Sequence, residues 1–270
     1  MIPAFRLLFY IAAKINISLK AESTVQQWWT VDLLILVLVE SALETIPEEL
    51  WNYSSIRRFS RMKGKHQRFI LLDRSYHHHA MKTLEKNEKR GRPDIVHFSL
   101  LEALGSPLNK EGLLRVYVHT IGDYVISIEP ETRLPKNYNR FVGLIEDLFE
   151  HGKVPPRNKP LLTLEKKTLR ELLDELKPTY VIAFDTAGKP KTIEEAVVAI
   201  AKEKKPLVMV GGFPHGSFEE STLNLVDELV CIDPEVLEAW TVVSRTIYEY
   251  ERALRLPRKR IERMKTEKRS

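Results

Sequence analysis

Val31-Asp32-Leu33-Leu34-Ile35-Leu36-Val37-Leu38-Val39 is an almost unbroken apolar run. A strand with one face in water alternates polar and apolar side chains, so a run this continuous predicts a parallel strand covered on both faces. It is too short to cross a bilayer as a helix. The segment therefore restricts the chain to the α/β class with a largely parallel sheet. The pattern beyond residue 160 agrees. Helices are expected over 168–176, 193–204 and 235–254, and strands over 180–184, 206–210 and 229–232.

The first half is less regular. A short helix is expected over 41–50, with Leu43, Ile46 and Leu50 on one side, then a short strand over 70–73 and a helix over 76–86. Residues 95–104 form another apolar segment, ended by Ser106-Pro107. Residues 114–120 alternate like a half-exposed strand and pair naturally with 123–128 through the turn Ile121-Gly122-Asp123. Apolar residues at 138, 141, 142, 145, 148 and 149 draw a helical stripe. Residues 153–160, rich in proline, read as the best linker in the chain.

The length of 270 residues allows one large domain or two small ones. A net charge of +5 fits a polyanionic partner without requiring one. Cys231 is the only cysteine, which excludes an intramolecular disulfide and a Cys-based zinc site and points to a reducing cytoplasm. The apolar stretch from Phe5 to Ala13 is too short to span a membrane, and residues 1–30 read as an N-terminal extension. At the other end, residues 255–270 form a basic tail, expected to be solvated and partly disordered.

Three segments carry chemistry. In Lys89-Arg90-Gly91-Arg92-Pro93-Asp94-Ile95-Val96-His97, arginines lie beside a helix-breaking Gly and Pro, and a carboxylate follows Arg92 by two residues. A guanidinium in a loop is a good phosphate or base-edge ligand, and a carboxylate at that distance can hold its fork in one orientation. Arg133, Lys136 and Arg140 add three cations downstream. Val210-Gly211-Gly212-Phe213-Pro214-His215-Gly216 follows an apolar strand. Glycines there let a backbone approach a ligand, and open α/β sheets bind ligands beyond the carboxyl ends of their strands. The spacing matches neither the dinucleotide fingerprint nor a phosphate loop.

Other features are weaker. His77-His78-His79 sit on an expected helix, where consecutive side chains point about 100° apart, so they cannot share one metal ion. Asp73 and Ser75 read as helix caps, and Trp240 as a core or interface residue. No nucleophile–base order or paired-carboxylate spacing stands out, so no catalytic residue is assigned. The residues alone leave two readings open: a basic RNA surface beside a backbone-built cofactor pocket, or an RNA-binding assembly factor without catalysis. A metal-dependent nuclease lacks its carboxylates.

Together these segments resemble the SPOUT-class pseudouridine N1-methyltransferases of small-subunit ribosome biogenesis, the essential-for-mitotic-growth family. The resemblance rests on Leu72-Asp73 with Tyr76-His77-His78, the block Arg90 to His97, and Ser99-Leu100-Leu101. It continues through Ser106-Pro107-Leu108-Asn109-Lys110, Val116-Tyr117-Val118-His119-Thr120 and Pro130 with Arg133-Leu134-Pro135. Tyr138, Arg140-Phe141, the glycine loop and Ala239-Trp240 complete it. The match runs from about 31 to 254, and the intact Gly-Phe-Pro-His-Gly loop resembles the archaeal type.

The resemblance implies a parallel sheet with a C-terminal trefoil knot and a β-hairpin/helix insertion. It also implies a single domain over 31–254, with an RNA-binding insertion at about 74–152 and the knot at about 178–254. S-adenosyl-L-methionine would lie against Ile182, Gly211, Gly216 and the turn Ile232-Asp233-Pro234-Glu235-Val236-Leu237. Arg92, steadied by Asp94, and Arg133, Lys136 and Arg140 would hold small-subunit rRNA. The reaction would be methyl transfer to N1 of a pseudouridine. A homodimer is implied, and neither a membrane nor a metal partner is expected. Two positions depart from the family pattern: Lys136 stands where an arginine is usual, and the 232–235 turn is less small and polar than the common version.

Overall fold

The computed structural model describes residues 33–268. The N-terminal extension and the first two residues of the apolar run, Val31 and Asp32, lie outside the described residues. The rest of the run becomes strand β1 (Leu34–Ser41), in which every residue is buried. Its side chains divide by parity. Leu34, Leu36 and Leu38 enter one core cluster, while Ile35, Val37 and Val39 enter another. This is the twofold side-chain period of a strand whose sheet is covered on both faces.

The other strands are β2 (Leu114–Thr120), β3 (Tyr124–Ile128), β4 (Lys153–Val154), β5 (Leu162–Lys166), β6 (Tyr180–Pro190), β7 (Pro206–Gly211) and β8 (Glu228–Cys231). They lie in the order β4-β5-β3-β2-β1-β7-β6-β8. β1 pairs in parallel with β2 and β7, and β6 in parallel with β7 and β8. The hairpin strand β3 and then β5 and β4 extend the other edge in antiparallel fashion.

The helices are α1 (Ser54–Lys63), α2 (Arg74–Met81), α3 (Pro93–Gly105), α4 (Pro107–Lys110), α5 (Tyr138–His151), α6 (Leu169–Leu176), α7 (Ile193–Ile200), α8 (Glu220–Leu223), α9 (Ala239–Ala253) and α10 (Leu256–Glu267). Ile95, Phe141, Val197 and Val243 bring α3, α5, α7 and α9 onto one face of the sheet. Leu169, Leu172, Leu173 and Leu176 bring α6 onto the other, beside Phe218. A small third cluster beneath α1 and α2 joins Ile46, Ile56, Leu72 and Met81. Helices α6 and α7 each open on a capping box, Thr168 with Glu171 and Thr192 with Glu195.

Several expectations are revised. The helix over 41–50 is only a 3-10 turn at Glu48–Leu50, because Pro47 removes a backbone donor and the preceding chain runs extended, with Thr45 bridging Leu71. That single bridge replaces the expected strand over 70–73. Helix α1 was not anticipated; its mark is Gly64, which closes it with a left-handed cap. The apolar segment 95–104 is helix α3, started by Pro93 at its first turn. The linker over 153–160 is a loop between the paired strands β4 and β5, inside the sheet. The basic tail is helical through Glu267: Leu256 is buried, and Arg260 and Arg263 both reach Glu111 at 2.7 Å.

Of the three consecutive histidines, only His77 turns inward. Its Nδ1 accepts the Asp73 backbone N–H at 3.0 Å, and its ring packs edge-on against Phe59 with centroids 4.8 Å apart. Burial lowers its pKa to about 4, more than the nearby Asp73 can restore. A neutral buried histidine contributes stability that is present above its unfolded pKa, near 6.5, and lost as pH falls through the folded one. Denaturant titrations at stepped pH should therefore show stability dropping between about 6.5 and 4. His77→Gln should remove a part of that drop worth up to about 3 kcal/mol. An unchanged slope in a folded variant would show that His77 is not its source.

Candidate cofactor cleft and nucleic-acid surface

A cleft of ≈ 420 Å³ opens at the carboxyl end of β7, beside Phe184–Thr186 of β6. This is the end of an open α/β sheet where ligands bind, and the volume suits a small molecule. The glycine loop that follows β7 forms one wall and the turn that follows β8 forms another. Ile95 and Val242, from α3 and α9, close the apolar side.

Seven predicted cofactor residues come together here: Gly211, Gly216, Ile232, Asp233, Glu235, Val236 and Leu237 all line the cleft. Two do not. Ile182 is only 1% exposed and packs in the core, opposite Val208 of β7. Phe184, two residues further on the same face of β6, lines the cleft instead. Along β6 the cleft is met at Phe184–Thr186, so Ile182 is one side-chain repeat too early. Pro234 is exposed and stands outside the lining, while its neighbours Asp233 and Glu235 are tied by a 3.0 Å bond from the Glu235 N–H to Asp233 Oδ1. Sequence reasoning missed Phe184, Asp185, Phe213, Phe218 and Glu238, which the cleft includes. The polar end of the apolar β6 run was the available signal for Asp185.

The glycines are needed for two different reasons. A Cβ on Gly212 would lie 2.2 Å from Ser41 Oγ, because that residue is laced to β1: its N–H donates to Val39 O at 2.9 Å and its carbonyl accepts from the Ala42 N–H at 2.8 Å. Gly216 has φ +92, a conformation that L side chains rarely adopt. Gly211 has an ordinary φ, and its constraint is room: a Cβ there would press on the Phe213 ring at 3.0 Å.

The cleft's charge is one-sided. Asp185, Asp233, Glu235 and Glu238 line it, and among the described residues no Lys or Arg does. A phosphate-bearing cofactor would meet only repulsion there. A ligand with a sulfonium and an ammonium group, an adenine for the apolar wall and ribose hydroxyls for the carboxylates fits this donor set.

Just outside lies the opposite charge. Arg92 caps the N-terminus of α3, and its backbone N–H donates to Ala42 O at 3.2 Å. Its Nε and Nη2 each donate to Asp94 at 2.8 Å, the expected fork held by a carboxylate, with the arginine side chain still 35% exposed. Asp94 foremost, then Glu238 on the cleft rim and Tyr138, raise the guanidinium's pKa above its ordinary value, so the group lies between the cleft and α5. Arg90 differs: Nε and Nη2 bind Glu44 at 2.7 Å each, which assigns it to structure.

Arg133, Lys136 and Arg140 are exposed, and among the described residues their side chains make no ion pair or hydrogen bond. The segment carrying them is firmly placed. His97 Nε2 donates to Pro135 O at 2.8 Å, Asn109 Nδ2 to Pro130 O at 2.8 Å, and the Tyr138 hydroxyl to Asp73 Oδ2 at 2.6 Å. Burial, with that bond to Asp73, raises the Tyr138 pKa and keeps the hydroxyl protonated.

An α/β sheet with a carboxylate-lined cleft and exposed cations beside it fits an enzyme of the methyltransferase class that acts on nucleic acid. Residues 36–251 match the model of the EMG1/NEP1 methyltransferase family, and the chain belongs to that family. Ribosomal RNA small subunit methyltransferase Nep1 of Staphylothermus marinus is 46% identical over 213 residues, 78% of this chain and 92% of that protein. The protein of that name from Thermococcus onnurineus is 46% identical over 219 residues, 81% of this chain and 98% of its own. The crystal structure of Archaeoglobus fulgidus Nep1 bound to S-adenosylhomocysteine superposes with a TM-score of 0.73 at 39% identity, covering 81% of this chain and 97% of that one.

Gly216→Val should weaken S-adenosylhomocysteine binding more than tenfold while the protein still folds, since a β-branched residue resists φ +92. Calorimetry on a variant of unchanged circular dichroism checks it; native affinity would remove the glycine loop from the binding site.

Proposed function

We propose that this protein transfers the methyl group of S-adenosyl-L-methionine to N1 of a pseudouridine in small-subunit rRNA during ribosome assembly. The observation that carries the reading is the contact of opposites: a cleft lined, among the described residues, by carboxylates and no Lys or Arg, with the preorganised Arg92 outside it and, beyond, Arg133, Lys136 and Arg140, which no described residue pairs. The cofactor supplies a methyl group already activated on a positive sulfur. The protein's task is then alignment and exclusion of water, which can lower a barrier substantially without a covalent intermediate. Arg92 and the three downstream cations would grip the RNA backbone around a base turned out of its stack. Ile95, Val242 and Leu237 would shield the reacting groups from solvent. N1 of pseudouridine carries a proton that must leave, and a nearby cation or dipole would offset the negative charge that develops on the base.

The same reading extends to architecture. We assign a single SPOUT domain over 31–254, with an RNA-binding insertion at about 74–152 and a trefoil knot at about 178–254. The reading of a knot draws support from β6, where both Phe184 and Lys189 pair with Val230 of β8, so residues 185–188 break the register of that pairing. Exposed Phe98 and Tyr248 on α3 and α9, with Trp240 edge-on to Phe98 at 5.3 Å, offer an apolar face for a homodimer. No described helix is long and apolar enough to cross a membrane, and the single cysteine suits the cytoplasm. A non-catalytic assembly factor would use the basic surface but has no need of the cleft.

A pseudouridine-containing rRNA hairpin should be methylated and its uridine twin spared. Uridine's N1 is already bonded to the sugar, whereas pseudouridine, joined through carbon, leaves N1 free. Mass spectrometry of the digested product decides the site; a methyl on a ribose hydroxyl, or equal modification of uridine, would overturn the assignment.

Arg92→Ala should weaken RNA binding by about 1–3 kcal/mol, and Lys136→Ala by less, because a held fork loses less freedom on binding than a mobile ammonium does. Anisotropy titrations at one salt concentration compare the two, and equal losses would contradict the assigned roles.

A further inference from the structure

We propose that the buried Lys89–Glu40 ion pair is a positioning device that locks the cofactor loop and the Arg92 segment into one geometry, so that cofactor and RNA binding are coupled through it. The inference rests on the methyltransferase reading and adds residues outside the cleft lining.

Lys89 is a long cation with almost no exposure: its side chain and that of Glu40 are each only 7% accessible. Such a burial is costly unless every charge is met. Lys89 Nζ donates to Glu40 Oε2 at 2.9 Å, to Glu219 Oε1 at 3.1 Å and to the carbonyl of Ser217. The ammonium also sits 4.5 Å from the centroid of the Phe213 ring. The other oxygen of Glu40 accepts the backbone N–H of Glu219 at 2.8 Å. Phe213, Ser217 and Glu219 bracket the glycine loop, and the Lys89 stem lies 3.1 Å from where a Gly216 Cβ would be. One side chain thus holds the loop along its length.

Glu40 is placed for this by strain. It has φ +49, unusual for a non-glycine residue, and sits where the β1–β2 register shifts between Leu38 and Ser41. Its backbone N–H points to His119 Nδ1 at 3.4 Å. The bulge releases the side chain from the sheet's alternation and directs it to Lys89.

The other end of the device is covalent. Lys89 closes the 3-10 turn Asn87–Lys89, three residues before Arg92. Arg90, between them, is clamped to Glu44. A shift of the cofactor loop that moves Lys89 therefore moves the segment that aims Arg92, and the reverse holds by linkage.

Lys89→Met alone leaves the Glu40 carboxylate buried without a partner and risks unfolding. The double variant Lys89→Met/Glu40→Gln removes both charges together, and Glu40→Gln alone is a milder second test. Calorimetry reads S-adenosylhomocysteine affinity, and anisotropy reads affinity for a pseudouridine hairpin with and without it. The wild-type protein should bind RNA more tightly when S-adenosylhomocysteine is present, by on the order of 5–150-fold. A folded variant should bind S-adenosylhomocysteine at least about tenfold more weakly, and its RNA affinity should no longer respond. Loss of fold alone would lower both affinities and leave their ratio intact. A folded variant that keeps the wild-type ratio, or a wild-type protein without any such response, overturns the proposal. A wild-type protein that binds neither S-adenosylhomocysteine nor RNA would overturn the methyltransferase reading instead.

Discussion

The site depends on what happens at the carboxyl end of β1. Up to Leu38 the strand alternates between two cores and is anchored in parallel on both sides. Over the next few residues the chain gives up that regularity. The register with β2 shifts, Glu40 takes a left-handed backbone and Ser41 meets Gly212 at closest approach. The glycine loop is laced to this corner by backbone bonds to Val39 and Ala42, and the Arg92 N–H docks on Ala42 O. One wall of the cleft and the exposed Arg92 are therefore both hung from one turn of backbone. That turn can be rigid because the strand feeding it is wholly buried.

Much of this was legible in residue types. The parallel strands showed as continuous apolar runs, and the β2–β3 hairpin as alternation around Ile121-Gly122-Asp123, since periodicity reports burial directly. The Arg92–Asp94 fork was readable because a spacing of two across a Pro-started helix leaves few other geometries. The glycine loop stood out as glycines after an apolar strand, whereas the 232–237 turn came only from the family resemblance. What stayed hidden depended on partners distant in sequence. Nothing near Arg90 in sequence shows that it binds Glu44, 46 positions away. Ile182 and Phe184 differ only in how far each lies from the strand's end. The pairing of Lys89 with Glu40 spans 49 positions and could not be seen before folding brought β1 beside the 3-10 turn.

The loop between β4 and β5 and the helical tail were misjudged for a related reason. Prolines and charges at 153–160 suggested separation, yet β4 contributes two residues to the sheet's edge. Charges in α10 suggested solvation, yet Glu111 offers Arg260 and Arg263 a partner. Composition measures how a segment would behave alone, and tertiary contacts override it where a small number of residues are held by others.

Charge sorts the two ligands. A polyanion approaching the surface meets Arg92, Arg133, Lys136 and Arg140, and is drawn by a force that weakens with salt. The same polyanion is turned away from the cleft, where Asp185, Asp233, Glu235 and Glu238 stand. A small cationic cofactor experiences the reverse on each count. Glu238 lies where the two fields meet, lining the cleft and acting on the Arg92 guanidinium. The boundary between them is thus drawn by a carboxylate and an arginine that attract one another. On the proposed reading, a phosphate backbone would settle along the basic side while only an uncharged base would pass the rim, so the arrangement that would select the cofactor would also limit which part of the RNA enters.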